Sequence, residues 1–190
     1  MKAMSNWDSI TASNGGGGIL PEGGYAVRID AVKDYSEDAQ RPRIELVINP
    51  YLPDEGKFFY GEDAADWQRT VSISLKFDSG LQRFKMLAQC VEQSDGNKGF
   101  KYDASRDGAE QTLSGKWVGL VLRHYLYTKG ERSKNPGATG TSIEIQHITT
   151  VQAIREGDFP APETRDGRKQ PAAQSSAITS DELAGYDLPF

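Results

Sequence analysis

The stretch "RTVSISLKFDSGLQRFKMLAQCVEQ", residues 69–93, changes hydrophobic period in its middle, and the fold turns on that change. Val71, Ile73, Leu75 and Phe77 alternate with Ser72, Ser74 and Lys76, the period of a half-buried strand. Leu81, Phe84, Leu87, Ala88 and Val91 then recur at helical spacing, behind the cap candidates Asp78 and Ser79 and ahead of Gly96. The reading is a strand that passes directly into one amphipathic helix.

Upstream, Tyr25, Val27, Ile29 and Ala31 share one face of a first strand, with Ala26, Arg28 and Asp30 on the other. A second strand spans Arg43 to Tyr51 with Ile44, Leu46 and Ile48 inward, and Pro50 and Pro53 are expected to end its ladder because each lacks an amide donor. "LPDEGKFFYGEDAADWQ", 52–68, has no clean period and reads as a long loop with a helical turn near "EDAADW". Downstream, "GKWVGLVLRHYLYT" (115–128) and "TSIEIQHITTVQAI" (141–154) form a hairpin around the loop "KGERSKNPGATG" (129–140). The chain is therefore expected to be mainly β: a five-stranded OB-fold Greek-key barrel with one α-helix between strands three and four.

The barrel is assigned to 19–159. Residues 1–18, ending in "NGGGG", read as a flexible arm, 160–180 as a disordered linker rich in Pro, Ala, Gln and Ser, and 181–190 as a partner-recruiting tip. A length of 190 residues with 37% hydrophobic content and a mean hydropathy of −0.60 suits one core with polar ends. The lone Cys90 excludes an internal disulfide and reads as packing. No window approaches a membrane span, and "MKAMSNWDSI" lacks the apolar run of a signal peptide, so the expectation is a cytoplasmic protein with no membrane partner.

The net charge of −5 is unevenly spread: −6 over 1–66, +5 over 67–134, zero over 135–155 and −4 over 156–190. The basic middle carries the candidate nucleic-acid contacts. Tyr125 and Tyr127 share a strand face with Arg123 and lead into a loop bearing Lys129, Arg132 and Lys134. Aromatics interleaved with cations supply base stacking and phosphate neutralisation. Trp67, Arg69 and Lys76 add to this from the third strand, and Tyr35 and Arg41 from the first-to-second loop, where Asp34, Glu37 and Asp38 oppose them. "KFFY", 57–60, reads either as a stacking platform or as the apolar anchor of its loop, with the anchor favoured, and Trp117 reads as core.

Catalytic chemistry has little to build on. His124 and His147 are the only histidines and carry no zinc spacing, and "GGGG" lacks the flanking strand and helix of a phosphate loop. No metal, cofactor or enzyme activity is expected. The ending "DELAGYDLPF" places Asp187, Leu188, Pro189 and Phe190 behind a polar tether, where an apolar ring, a carboxylate and acidic steering suit capture by a basic pocket on another protein.

"DLPF" resembles the acidic tip of bacterial single-stranded-DNA-binding proteins, and "LPEGGYAVRI", "GKWVGLVL" and "IREGDFPAPE" resemble segments of the phage- and prophage-encoded members of that group. The resemblance runs from Leu20 onward. It implies an OB-fold protein that coats single-stranded DNA in replication and recombination, as a homo-oligomer, and recruits replication or recombination proteins through its tip. Gly185 and Tyr186 depart from the acidic residues that the tip pattern has there. A protein-interaction adaptor without DNA affinity is the alternative.

Overall fold

A computed structural model describes residues 19–168. The long strands are β1 (Gly23–Tyr35), β2 (Arg43–Leu52), β4 (Thr70–Ser74), β5 (Trp117–Thr128) and β6 (Thr139–Thr149). Two two-residue strands, β3 (Lys57–Phe58) and β7 (Arg165–Asp166), bring the sheet to seven. Helix α1 spans Asp78–Gln93 and a short α2 spans Val151–Glu156.

The long strands pair antiparallel in the order β4-β2-β1-β5-β6, and α1 lies between β4 and β5 in sequence. The sheet curls strongly into a half-barrel. Its two ends, β4 and β6, approach each other but no ladder joins them among the described residues. The concave side is filled by Val27, Ile29, Ile44, Leu46, Ile48, Val71, Ile73, Leu120, Leu122 and Ile145, and Leu87, Cys90 and Val91 of α1 close the core from below. Alternation along the strands explains this filling, since every second side chain points inward.

Several boundaries differ from the sequence reading, each for a local reason. β1 has a register shift between Ile29 and Ala31, so Val32 rather than Ala31 enters the core. β2 continues through Pro50, whose carbonyl accepts from Phe59 N–H at 2.8 Å, and ends at Leu52. β4 stops at Ser74, because α1 begins so close that a Cβ on Gly80 would lie 1.7 Å from the Ser74 carbonyl oxygen. Phe77, expected inward, is 67% exposed, and Lys76 sits beyond the strand rather than on its polar face.

The expected final strand breaks at Thr150. Its hydroxyl accepts from Ala153 N–H and starts α2, which Gly157 ends at φ 73°. Residues 160–168, expected as the start of a disordered linker, lie along the sheet as a strap. Gln146 donates to Ala161 O and accepts from Glu163 N–H, and β7 pairs in parallel with β5 at Tyr125 and Leu126. The rest of that linker, the arm and the tip lie outside the described residues.

Candidate nucleic-acid interface

The seam between β4 and β6 is a groove of about 760 Å³. Thr70, Ser72 and Ser74 on one bank, Ser142 on the other and Ser79 at the end line it with hydroxyls, over a floor of Val71, Ile73, Ile143 and Ile145. Two exposed aromatics stand at opposite ends of β4: Trp67, 79% exposed on a short 3₁₀ turn (Asp66–Gln68), and Phe77. A ring that exposed gains nothing from the protein's own core.

Four cations reach the groove, Lys33, Arg83, Arg123 and Arg165, against the two carboxylates Glu45 and Glu144. Arg123 Nε lies 2.7 Å from Glu144, and Arg165 Nη1 lies 3.6 Å from the same carboxylate, so two guanidiniums share one negative charge. Lys33 is held at 2.8 Å by Asp66, whose carboxyl is depressed chiefly by that hydrogen bond. Arg83 crosses from α1 and donates to the carbonyls of Ile145 and Gln146, capping part of the β6 edge; burial pushes its pKa down.

The candidate residues divide accordingly. Trp67 and Arg123 line the seam, and Tyr127 joins Trp67 in an adjoining recess. Lys76 is exposed just beyond Ser74, its ammonium 5.7 Å from the Phe77 ring centroid. Arg132 and Lys134 are exposed in the β5–β6 loop and Lys129 is half-buried at its base, but none of the three lines the groove.

Arg69 is not available to a phosphate. Its side chain is 14% exposed and its Nη1 lies 2.5 Å from Asp30, 39 residues away, with Asp66 at 3.5 Å. Tyr125 is covered: the Gly167 backbone rests on its ring, where a Cβ would come within 2.2 Å, and Arg165 lies 5.4 Å from its centroid. Tyr35 stacks under the Arg43 guanidinium at 4.3 Å, and Arg41 is exposed beside Asp38; neither lines the groove.

Sequence reasoning missed Lys33, Phe77, Arg83 and Arg165. Phe77 had a signal in the cap candidates immediately after it, which place it at a strand end. Arg83 had one in its i−4 relation to Leu87, which puts it on the buried face of α1.

"KFFY" anchors its loop as read. Asn49 exchanges two hydrogen bonds with the Tyr60 backbone, the Tyr60 hydroxyl donates to Gln68 O, and burial raises its pKa to about 12. Trp117 is not deep core: it stacks on Phe58 at 5.8 Å and meets Tyr51 edge-on. These rings border a separate, more apolar cleft of about 880 Å³ with Pro53, Ile154 and Arg155. Among the described residues no His, Cys, Asp and Glu cluster could hold a metal ion, and no helix is long and apolar enough to cross a membrane. No protein-family model matches the chain, and no curated protein matches it significantly.

Proposed function

We propose that the protein is a non-enzymatic, OB-type single-stranded-DNA-binding protein that lays the strand in the β4–β6 seam. The observation that carries this reading is the seam itself: a hydroxyl-lined groove with an exposed aromatic at each end of β4 and cations in excess of carboxylates. OB barrels bind single strands over their second and third strands and the neighbouring loops. The second and third long strands here are β2 and β4; β4 forms one bank of the seam and β2 reaches it through Glu45, while Arg132 and Lys134 of the β5–β6 loop lie outside the groove.

In this reading Trp67 and Phe77 stack bases, Lys33, Arg123 and Arg165 meet phosphates by exchanging their carboxylate partners, and the backbone stays solvated along the hydroxyls. Stacking gives binding that tolerates many sequences. The protein acts in phage DNA replication or recombination as a homo-oligomer and recruits other proteins through Asp187–Phe190.

Fluorescence anisotropy with an oligo-dT of about 15 nucleotides, within the span of a barrel of this kind, tests the reading against a matched duplex. The single strand should bind more tightly, and three phosphates neutralised would give a log–log salt slope of about −2. Binding to neither would overturn it. The adaptor alternative is favoured by one feature, the apolar cleft at Tyr51, Phe58 and Trp117, and would retain partner capture without DNA affinity.

A further inference from the structure

At its Trp67 end the seam runs into a second, more enclosed recess of about 350 Å³, with Trp67, Thr70, Ser142 and Ile143 common to both. Ile19, the first described residue, lines this recess, so the preceding arm leaves the domain there. We infer that the recess seats the indole of the chain's own Trp7, and that a strand reaching Trp67 must displace it. The inference deepens the single-strand reading above by naming a competitor at the same ring, and it rests on that reading only where DNA is concerned.

The root of the arm sets the position. Leu20 is fully buried in the core with its carbonyl 2.8 Å from His124 Nε2, and the Glu22 carboxylate accepts the His124 N–H, so the chain is pinned just past the recess. The segment from Trp7 to Ile19 contains Gly15, Gly16, Gly17 and Gly18. A tether of that length and composition has a root-mean-square span of roughly 20 Å, which keeps the ring near its seat at an effective concentration on the order of millimolar. Lys2 and Asp8 are the only charged side chains before Ile19, so charge does not draw the arm to the seam's cations.

The walls and the polar atoms suit an indole. Trp67 is 79% exposed and Tyr127 36% exposed among the described residues, and Tyr127 is braced from below, where a Cβ on Gly140 would sit 2.4 Å from a ring carbon. Two such rings offer face and edge contacts to a third. The Tyr60 hydroxyl donates to Gln68 O and the Thr70 hydroxyl to Asp66 O, so both oxygens keep accepting lone pairs and have no proton left to donate. An indole brings one N–H donor and no acceptor. Met4 and Ile10, the other large apolar side chains along the arm, have no such donor. Because the recess and the seam share Trp67, Thr70, Ser142 and Ile143, a seated Trp7 stands in the path of a strand at that end.

Trp7→Ala in the full chain tests this. With 5-fluorotryptophan in place of tryptophan, fluorine NMR gives signals from Trp7, Trp67 and Trp117, and Trp67→Phe assigns the Trp67 signal. Trp7→Ala should remove one signal and shift that of Trp67, leaving Trp117, which borders the separate cleft, in place. An unmoved Trp67 signal overturns the seat. A Trp67 signal that moves toward the variant's position when the unaltered protein is diluted overturns it in favour of the arm of a second copy. The variant should also bind oligo-dT about 2- to 10-fold more tightly, the factor by which a competitor seated about 50 to 90% of the time lowers apparent affinity. Equal or weaker binding by the variant overturns the competition, weaker binding meaning that Trp7 stacks on the strand instead. If neither protein binds oligo-dT, the single-strand reading and the competition fail together, while the fluorine shift still decides the seat.

Discussion

Two stretches of strand edge in the described part of the sheet are treated differently. Beyond Leu122, β5 has no partner from β1, yet that edge is covered: the Glu22 carboxylate accepts the His124 N–H at 2.8 Å, and β7 pairs with the next two residues. Across the half-barrel, β4 and β6 face a groove, and the cover is one side chain, Arg83, over the carbonyls of Ile145 and Gln146. Exposed edges invite unwanted pairing, and folds usually block them. One edge is blocked by a strap and the other is left lined with hydroxyls and bare aromatics, and it is along that open edge that the proposed strand would lie.

The strongest way to break this comparison is to remove the partial cover. Arg83→Met keeps the aliphatic stem and deletes the donors to β6. Hydrogen bonds from a charged group contribute about 1.5–3 kcal/mol, offset here by the burial that disfavours the guanidinium, so we expect a loss near the lower end of that range. Urea unfolding measures it, and amide exchange should accelerate in β6 around Ile145. An unchanged midpoint would mean the seam holds its shape without the cap.

A paired substitution sharpens the comparison. Trp67→Ala should weaken single-strand binding by about 1–3 kcal/mol with little change in thermal midpoint, because the ring is 79% exposed. Tyr125→Ala should do the reverse, leaving affinity near wild type while lowering stability, because its ring is the platform on which Gly167 and Arg165 lie. Equal affinity losses in both would show that the strap lifts when DNA binds. Anisotropy and calorimetry on the two variants separate these outcomes.

The contrast between these two aromatics also shows what the sequence could reveal. Strand and helix periods in 69–93 were legible because side-chain alternation is local, and β4 and α1 lie where the pattern placed them, apart from the ends. The ends depend on close approach, as Gly80 against Ser74 shows, and no single-residue pattern carries that. Charge pairing is equally remote: Arg69 reads as a free cation until Asp30 is brought beside it. Tyr125 was lost to the strap because 160–168 has a linker's composition, and its order comes from Gln146, Glu22 and the β5 edge rather than from its own propensity. Trp67, by contrast, belongs to a segment without period, where a large aromatic has no core role to claim it.

The smallest effect concerns Glu22, which joins the covered edge to the strap by accepting from His124 N–H and from the Thr164 hydroxyl, each at 2.8 Å. The His124 backbone bond, then the Thr164 hydroxyl, holds its carboxyl below the ordinary value of 4.5. A carboxyl with a depressed folded pKa adds stability that is complete above its unfolded value and is lost as the pH falls through the folded one. Solvent screening at this open position keeps the contribution to a fraction of about 1 kcal/mol. Glu22→Gln keeps an acceptor but cannot ionise, so its thermal midpoint should decline less steeply than that of wild type as the pH drops below 4.5, with the two curves parallel at neutral pH. Taking the difference between the proteins removes the other depressed carboxylates, such as Asp38 and Asp166, from the comparison. Curves that stay parallel through the acid range would show that a neutral acceptor at position 22 serves as well as a carboxylate, and that the covered edge needs no charge to stay closed.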